Sequence, residues 1–298
     1  MPFEYLALLA ACCWAIGSLL SAKAASHLGA FAFTRYRLAC AATLLWLMAF
    51  ALGGINTLQS SQLPLLAVSA LVGILIGDTS LFASMNRLGP RRAGVLFATH
   101  AMFSVVLAYL FLGESIWGWT LAGCSLLSGG VMTAILFGRR NEEQHHWEAD
   151  SSQLRSGIAL GLVSAVCQAA STLMIKPLME TDIDAVAASA VRMTVALVAH
   201  LTLFWLGFKV ARSYQPMNRK VFLLVLVNAA LSMVIGMTLI LQALKRGDAG
   251  LVGMLSSVSP VVVVPLLWLV YKRRPAAGAW FGAMMTVAGT VLILSSRH

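Results

Sequence analysis

The chain has 298 residues, of which 59% are hydrophobic and 11% charged, and its mean hydropathy is +0.84. A soluble globular domain needs more polar surface than that, and hydrophobic runs of about 20 residues, enough to cross a bilayer, use nearly all the length. The formal net charge of +10 lies almost wholly in short loops between the runs, where it suits orientation and anionic lipid; no basic face with interleaved aromatics points to nucleic acid.

The pattern predicts an all-α integral membrane protein with membrane helices over 4–22, 30–52, 63–85, 92–112, 117–137, 157–175, 185–208, 221–244, 251–271 and 276–294. The first run lacks the basic start of a signal peptide and a second run follows closely, so it is expected to be a retained span. The joins are short and carry breakers such as Gly53-Gly54, Gly89-Pro90, Lys176-Pro177 and Arg274-Pro275. One long polar stretch, RRNEEQHHWEADSSQLR, divides the chain into a first repeat (1–138), a linker (139–155) and a second repeat (156–298). His145 and His146 lie in that linker with Glu142, Glu143 and Glu148, and their loose spacing fits a solvated hinge better than a metal site. The five cysteines, Cys12, Cys13, Cys40, Cys124 and Cys167, all fall inside runs and read as small packing residues.

The second half repeats the first. Shifted back by 159 positions, its last three runs fall on the third to fifth without a gap: Gly236 meets Gly77, Arg246 meets Arg87, Gly282 meets Gly123 and Gly289 meets Gly130. With small gaps, Lys176 meets Lys23 and Arg192 meets Arg37. Five spans per repeat is an odd number, so the second copy is expected upside down in the membrane. That arrangement is characteristic of secondary transporters, whose substrate sites lie near the midplane between the copies.

The chain also resembles a known family. WAIGSLLSAK closing the first run, TRYRLACAA in the second, YLFLGES after the fourth and TLAGCSLLSGGV in the fifth are similar to an EamA-type member of the drug/metabolite transporter superfamily, as are AVRMTVALV, LSSVSPVVVVP and GAMMTVAGTVL in the second half. The sequence departs from that pattern in two places: YKRRP stands where the family commonly repeats a glycine-glutamate, and Ala101 stands where a proline is expected opposite Pro260. The resemblance implies ten helices in two inverted five-helix repeats around a central cavity, moving a small metabolite by alternating access. It names no cargo.

Loops after the odd-numbered runs hold 14 Lys and Arg residues: Lys23, Arg87, Arg91, Arg92, Arg139, Arg140, Arg155, Lys209, Arg212, Arg219, Lys220, Lys272, Arg273 and Arg274. The opposite side holds Lys176, Lys245, Arg246 and Arg297. The positive-inside rule therefore puts the linker in the cytoplasm and both termini outside, whereas the resembled family is usually drawn with its termini inside.

Ionisable groups inside a span are functional suspects. Asp78 is the one carboxylate well inside a predicted span, and His100 is its expected partner. Both lie eleven residues from Gly89 at the centre of the third hairpin, which places them at matching depth, roughly 15 Å below the turn. Such a pair could take up and release protons to couple transport, or simply lock two helices. Arg37 and Arg192 could each grip an anionic group, but inverted halves put them near opposite faces, so they are not expected to share a site. Trp14, Ser18, Gln168, Ser171, Asn228, Ser232, Gln242, Ser256 and Ser257 are candidates for a polar cavity wall, or for interhelical hydrogen bonds. Pro260 and Pro265 should kink the ninth span and could serve as a gate.

No nucleotide-binding loop, nucleophile elbow or zinc motif is present, so no enzyme activity and no cofactor are expected. The expected function is secondary active transport, in the export direction, of a small amino-acid-like or amphipathic metabolite across the inner membrane, with protons as a candidate coupling ion. The alternatives are an uncoupled facilitator or exchanger of the same fold, and a membrane scaffold or accessory subunit that transports nothing.

Overall fold

Leu, Ala, Val and Gly runs without room for polar surface fold here as helices, because in lipid each backbone donor must be satisfied within its own segment. The computed structural model describes residues 2–114, 117–137, 151–259, 261–263, 265–266 and 276–295, and every regular element among them is helical. In chain order these are α1 (Phe3–Leu28), α2 (Ala30–Ala51), α3 (Leu63–Ala70), α4 (Thr79–Ala98), α5 (His100–Leu112), α6 (Gly118–Leu136), α7 (Ser151–Met179), α8 (Ala185–Trp205), α9 (Arg219–Asn228), α10 (Met237–Leu244), α11 (Ala249–Ser256) and α12 (Ala277–Ser295), with short 3₁₀ turns between. Among the described residues, seven stretches are long and apolar enough to cross a membrane: Phe3–Ser21, Ser60–Gly89, Arg92–Leu112, Leu154–Met179, Ala185–Trp205, Arg219–Leu244 and Ala277–Ser295. The expected linker lies largely outside the described residues, including His145 and His146, and so does Pro260.

Two of the expected hairpin joins are single residues. Gly29 (φ 84°, ψ 156°) turns α1 directly into α2, and Gly89 (φ 82°, ψ 158°) breaks α4 in the same way. A side chain is strained at that backbone angle, so glycine lets the helices turn back with no loop at all.

Both halves carry the same departure from α-helical geometry. Between α3 and α4, Leu71–Asp78 is wound as a π-segment, and between α9 and α10, Ala229–Gly236 is wound likewise. A π-turn takes up an extra residue and re-aims the side chains that follow it.

The helices pack across the halves. The main partners are α6 with α12, α2 with α8, α5 with α11, α4 and the first π-segment with α7, and α1 with α9, α10 and the second π-segment. At α6–α12 the backbones touch. A Cβ added to Gly123 would lie 2.9 Å from Gly289 O, and one added to Gly130 would lie 2.5 Å from Thr286 N and 2.7 Å from Gly282 O. Gly123 thus faces Gly289 and Gly130 faces Gly282, an antiparallel register. The same running order holds where Gly73 meets Ser171 and Gly77 meets Cys167, and where Gly17 meets Ser232 and Gly236 meets Trp14. Small residues let helices approach this closely when lipid supplies no hydrophobic drive. Exposed Trp117, Trp119, Trp205 and Tyr214 lie near helix ends, as interfacial aromatics do.

Gly130→Ala is expected to lower stability by ~1–3 kcal/mol, since its methyl would press on the α12 backbone at Thr286 N and Gly282 O as well as on Thr286 Oγ1. Gly129→Ala, whose new atom would meet only Met285 Cε at 3.6 Å, should leave stability unchanged. Thermal unfolding of both variants in detergent checks this, and equal effects would refute the backbone contact.

Candidate functional site

The first π-segment ends on Asp78, and the re-aimed carboxylate meets α2 rather than the neighbouring hairpin arm. Arg37 Nη2 donates to Asp78 Oδ2 at 2.6 Å, with the two side chains 4% and 14% exposed. The Arg37 guanidinium also lies over the rings of Phe82 (4.7 Å) and Phe33 (5.3 Å), which pack edge to face with each other. Cation–π contact of this kind offsets part of the cost of dehydrating the charge.

Arg192 arrives from α8. Its Nη2 donates to Ser171 Oγ at 2.7 Å, and Ser171 in turn donates to Ser69 O at 2.8 Å. Its Nη1 lies 3.5 Å from Met237 Sδ, a weak acceptor. Nε of both arginines is buried and finds no hydrogen-bond partner among the described residues. Asp78 pairs with Arg37 alone: Arg192 lies beyond ion-pair distance of it and is held by Ser171 and Met237, so the two arginines make separate contacts.

His200 completes the cluster. It is buried on α8, with Nε2 3.2 Å from Thr79 Oγ1 and its ring edge-on to Phe31 at 5.7 Å. Sequence reasoning passed over this residue, although the rule that marked Asp78, a titratable side chain in an apolar run, applies to it equally. Arg35, two residues nearer the start of α2, faces elsewhere: it donates to Ala211 O at 2.7 Å and stacks on Phe204 at 4.2 Å.

His100 does not meet Asp78. It forms no ion pair with it, packs against Phe97 with ring centroids 4.9 Å apart, and leaves Nδ1 buried without a hydrogen-bond partner among the described residues. The depth argument assumed an unbroken α-helix on both arms of the hairpin. The π-segment rotates Asp78 away, and a break at Thr99, whose Oγ1 donates to Leu96 O, re-aims His100.

Of the expected wall residues, Trp14, Asn228 and Ser232 come together, at the interface of α1 with the second π-segment. Trp14 Nε1 donates to Ser232 O at 3.0 Å and Asn228 Nδ2 to Gly17 O at 2.8 Å, so both side chains join helices. Asn228 Oδ1 is buried without a partner. Ser18 lies one residue on from Gly17, but its hydroxyl turns back to Ala15 O. Gln168 is half-buried one turn before Ser171. Gln242 sits on the exposed face of α10, two turns on from exposed Ile235, and so points away from Trp14 and Arg192. Ser256 and Ser257 are buried on the far side, with their hydroxyls returned to Gly253 O and Met254 O.

These halves also match a known family. The family model described as the EamA-like transporter family matches residues 1–136 and again residues 155–295. The chain belongs to the EamA-like transporter family. It is therefore a multi-pass membrane protein of the drug/metabolite transporter type. A protein of known crystal structure superposes over 99% of this chain and 96% of its own at TM-score 0.76 and 16% identity, which speaks for a shared fold. No curated protein sequence matches it significantly.

Within the EamA-type motifs, the glutamate of YLFLGES has a structural task. Glu114 accepts from Ala249 N (2.7 Å) and Gly250 N (2.9 Å), capping the first turn of α11 from the end of α5. Lys176 does the converse for α10, donating to Leu244 O at 2.9 Å. In the ninth run, α11 ends at Ser256 and Ser257–Val258 form a turn, ahead of Pro260; Pro265 falls within a helical stretch.

Asp78 and Arg37 form a buried ion pair, so removing either partner strands the other. Asp78→Asn is expected to destabilise by ~3–5 kcal/mol. The double variant Asp78→Asn/Arg37→Gln, which strands neither charge of the pair, should cost less than the sum of the two single variants. Thermal unfolding of the three variants gives the coupling, and additive effects would argue against the pair.

Proposed function

We propose that this protein is a secondary transporter that moves a small metabolite by alternating access between two inverted five-helix repeats, ten spans in all. The observation that carries the reading is the pairing of equivalent glycines. Gly123 corresponds to Gly282 and Gly130 to Gly289, so exchanging the halves turns the Gly123–Gly289 contact into the Gly282–Gly130 contact. A two-fold axis between antiparallel helices runs across them, and so lies in the membrane plane. The Gly77–Cys167 and Gly236–Trp14 contacts and the two π-segments obey the same exchange. The family match over both halves agrees.

In this reading α2, α7, α8 and the two π-segments surround the midplane, and the Arg37–Asp78 pair is the element whose making or breaking accompanies the rocking of the halves. Asp78 is the proton-coupling residue, with export as the direction; His100 acts, if at all, away from that pair. Trp14, Asn228, Ser232 and Gln168 line the route, and the break ahead of Pro260 and Pro265 serves as the gate. The loop charges favour a cytoplasmic linker, and the reading sets the protein in a cell's inner membrane.

Counterflow in proteoliposomes tests this. Wild-type protein should give saturable flux of a metabolite that shifts with pH, and Asp78→Asn should abolish the shift. Flux indifferent to pH in the wild type favours an uncoupled facilitator or exchanger, and the absence of any flux across a metabolite panel favours a scaffold.

A further inference from the structure

The half-exchange that relates the glycines also relates the charged cluster, and there it fails at one position. Arg37 corresponds to Arg192 and Asp78 to Met237. The contacts correspond as well: Arg37 reaches Asp78, and Arg192 reaches Met237 Sδ at 3.5 Å. The second half thus keeps the arginine, keeps its place in the bundle and has a thioether where the first half has a carboxylate.

The result is a buried Arg37–Asp78 pair and, on α8, a buried guanidinium left with an uncompensated positive charge. Among the described residues no carboxylate lies within ion-pair distance of Arg192. A guanidinium offers five donors in a fixed fork. Arg192 uses one on Ser171 and turns another to a weak sulfur acceptor, while its Nε has no partner. Ser171 donates its own proton to Ser69 O, so its oxygen is fixed as an acceptor toward Arg192 and holds the fork in place. A cation kept unpaired inside an apolar bundle is expensive, and such residues mark the path of a substrate or ion. What the arrangement lacks is an oxyanion beside Met237.

We infer that Arg192 is the recognition group for an anionic cargo, a small molecule whose carboxylate or phosphate docks beside Met237 and supplies the negative charge that Asp78 supplies to Arg37. The inference deepens the transport reading and rests on it. Ser171 and half-buried Gln168, on the same face of α7, flank the position. Asp78 remains with Arg37, so the docked anion brings the cluster to neutrality instead of competing with the existing pair.

Restoring the missing carboxylate tests it. Wild-type protein, Met237→Asp and Arg192→Gln, each full length in detergent, are compared by thermal unfolding and by binding of glutamate, succinate and inorganic phosphate, with glucose and choline as neutral and cationic probes. In the wild type at least one anion should stabilise, and glucose and choline should not; the organic acids against phosphate tell which oxyanion is used. Met237→Asp should unfold at a higher temperature without ligand, because Arg192 gains a partner, and should bind the anion at least ~10-fold more weakly, the loss of one charge-assisted contact. Arg192→Gln should lose anion binding without loss of stability, and it decides the matter if Met237→Asp does not fold. Anion binding at wild-type strength in either folded variant overturns the proposal, as does a wild type that no anion stabilises. Saturable flux of a neutral or cationic compound only would overturn it while leaving transport intact; absence of all flux, with anion binding as described, would fail the transport reading and leave the anion site standing.

Discussion

The structure depends on how three charges are held inside an apolar bundle. Each arginine placed at the centre of a membrane helix costs ~2.5–3.5 kcal/mol on insertion scales, and a lone carboxylate costs a similar amount. The bundle meets that cost by convergence. Arg37 comes from α2 and lies on two phenyl rings, Asp78 comes from the end of a π-segment, and Arg192 comes from α8 with its fork held by a serine of α7. Four elements must be in register at once for these contacts to form. The close contacts of Gly73 with Ser171 and of Gly77 with Cys167 set that register by bringing α7 hard against the π-segment that carries Asp78.

Much of this was legible in the sequence, and the part that was not has a physical cause. The apolar runs, the break at Gly89 and the glycine correspondence across the halves follow from composition and spacing alone, since a helix in lipid has few alternatives. Arg37, Asp78 and Arg192 stood out because charge in an apolar run is costly. Their pairing did not, because depth reckoned from a turn assumes a regular helix. The π-segment of Leu71–Asp78 contains no proline and no polar signal that separates it from an ordinary helix, yet it carries Asp78 from the face of α5 to that of α2. His200 went unread for a different reason: a single histidine among leucines and valines is commonly a packed core residue, and its contact with Thr79 depends on α8 lying beside the first π-segment, which Thr79 directly follows.

The polar residues expected to line a cavity divide by the same logic. Hydroxyls of Ser18, Ser256 and Ser257 return to the carbonyls of the preceding turn, which satisfies them at no cost in tertiary contacts. Trp14 and Asn228 instead reach backbone carbonyls of a facing helix, and both reach ones beside residues without bulk, at Gly17 and at the second π-segment. A π-segment frees carbonyls from their regular partners, so side-chain donors there are part of the helix's own accounting as well as a tie between helices. Spacing on a helix face cannot distinguish these cases; the geometry of the carbonyls can.

Symmetry and its failure have separate locations in this molecule. The glycine contacts of α6 with α12, and those flanking the two π-segments, correspond in position across the halves; at α6–α12 they bring backbone against backbone, where an added atom would press on the facing helix. The charged cluster sits among these contacts, and it is there that Asp78 corresponds to Met237. If the two halves exchange roles during transport, contacts that are equivalent contribute nothing to the difference in energy between the two end states, because each is replaced by its own image. A difference can come only from positions that do not match. The excess charge of Arg192 is such a position, and it is buried where an effective dielectric far below that of water makes each unpaired charge count most. In the transport cycle proposed above, the preference for one end state, and its response to the proposed anion, would then be set at unmatched positions such as Arg192 and Met237 rather than at the α6–α12 glycine seam.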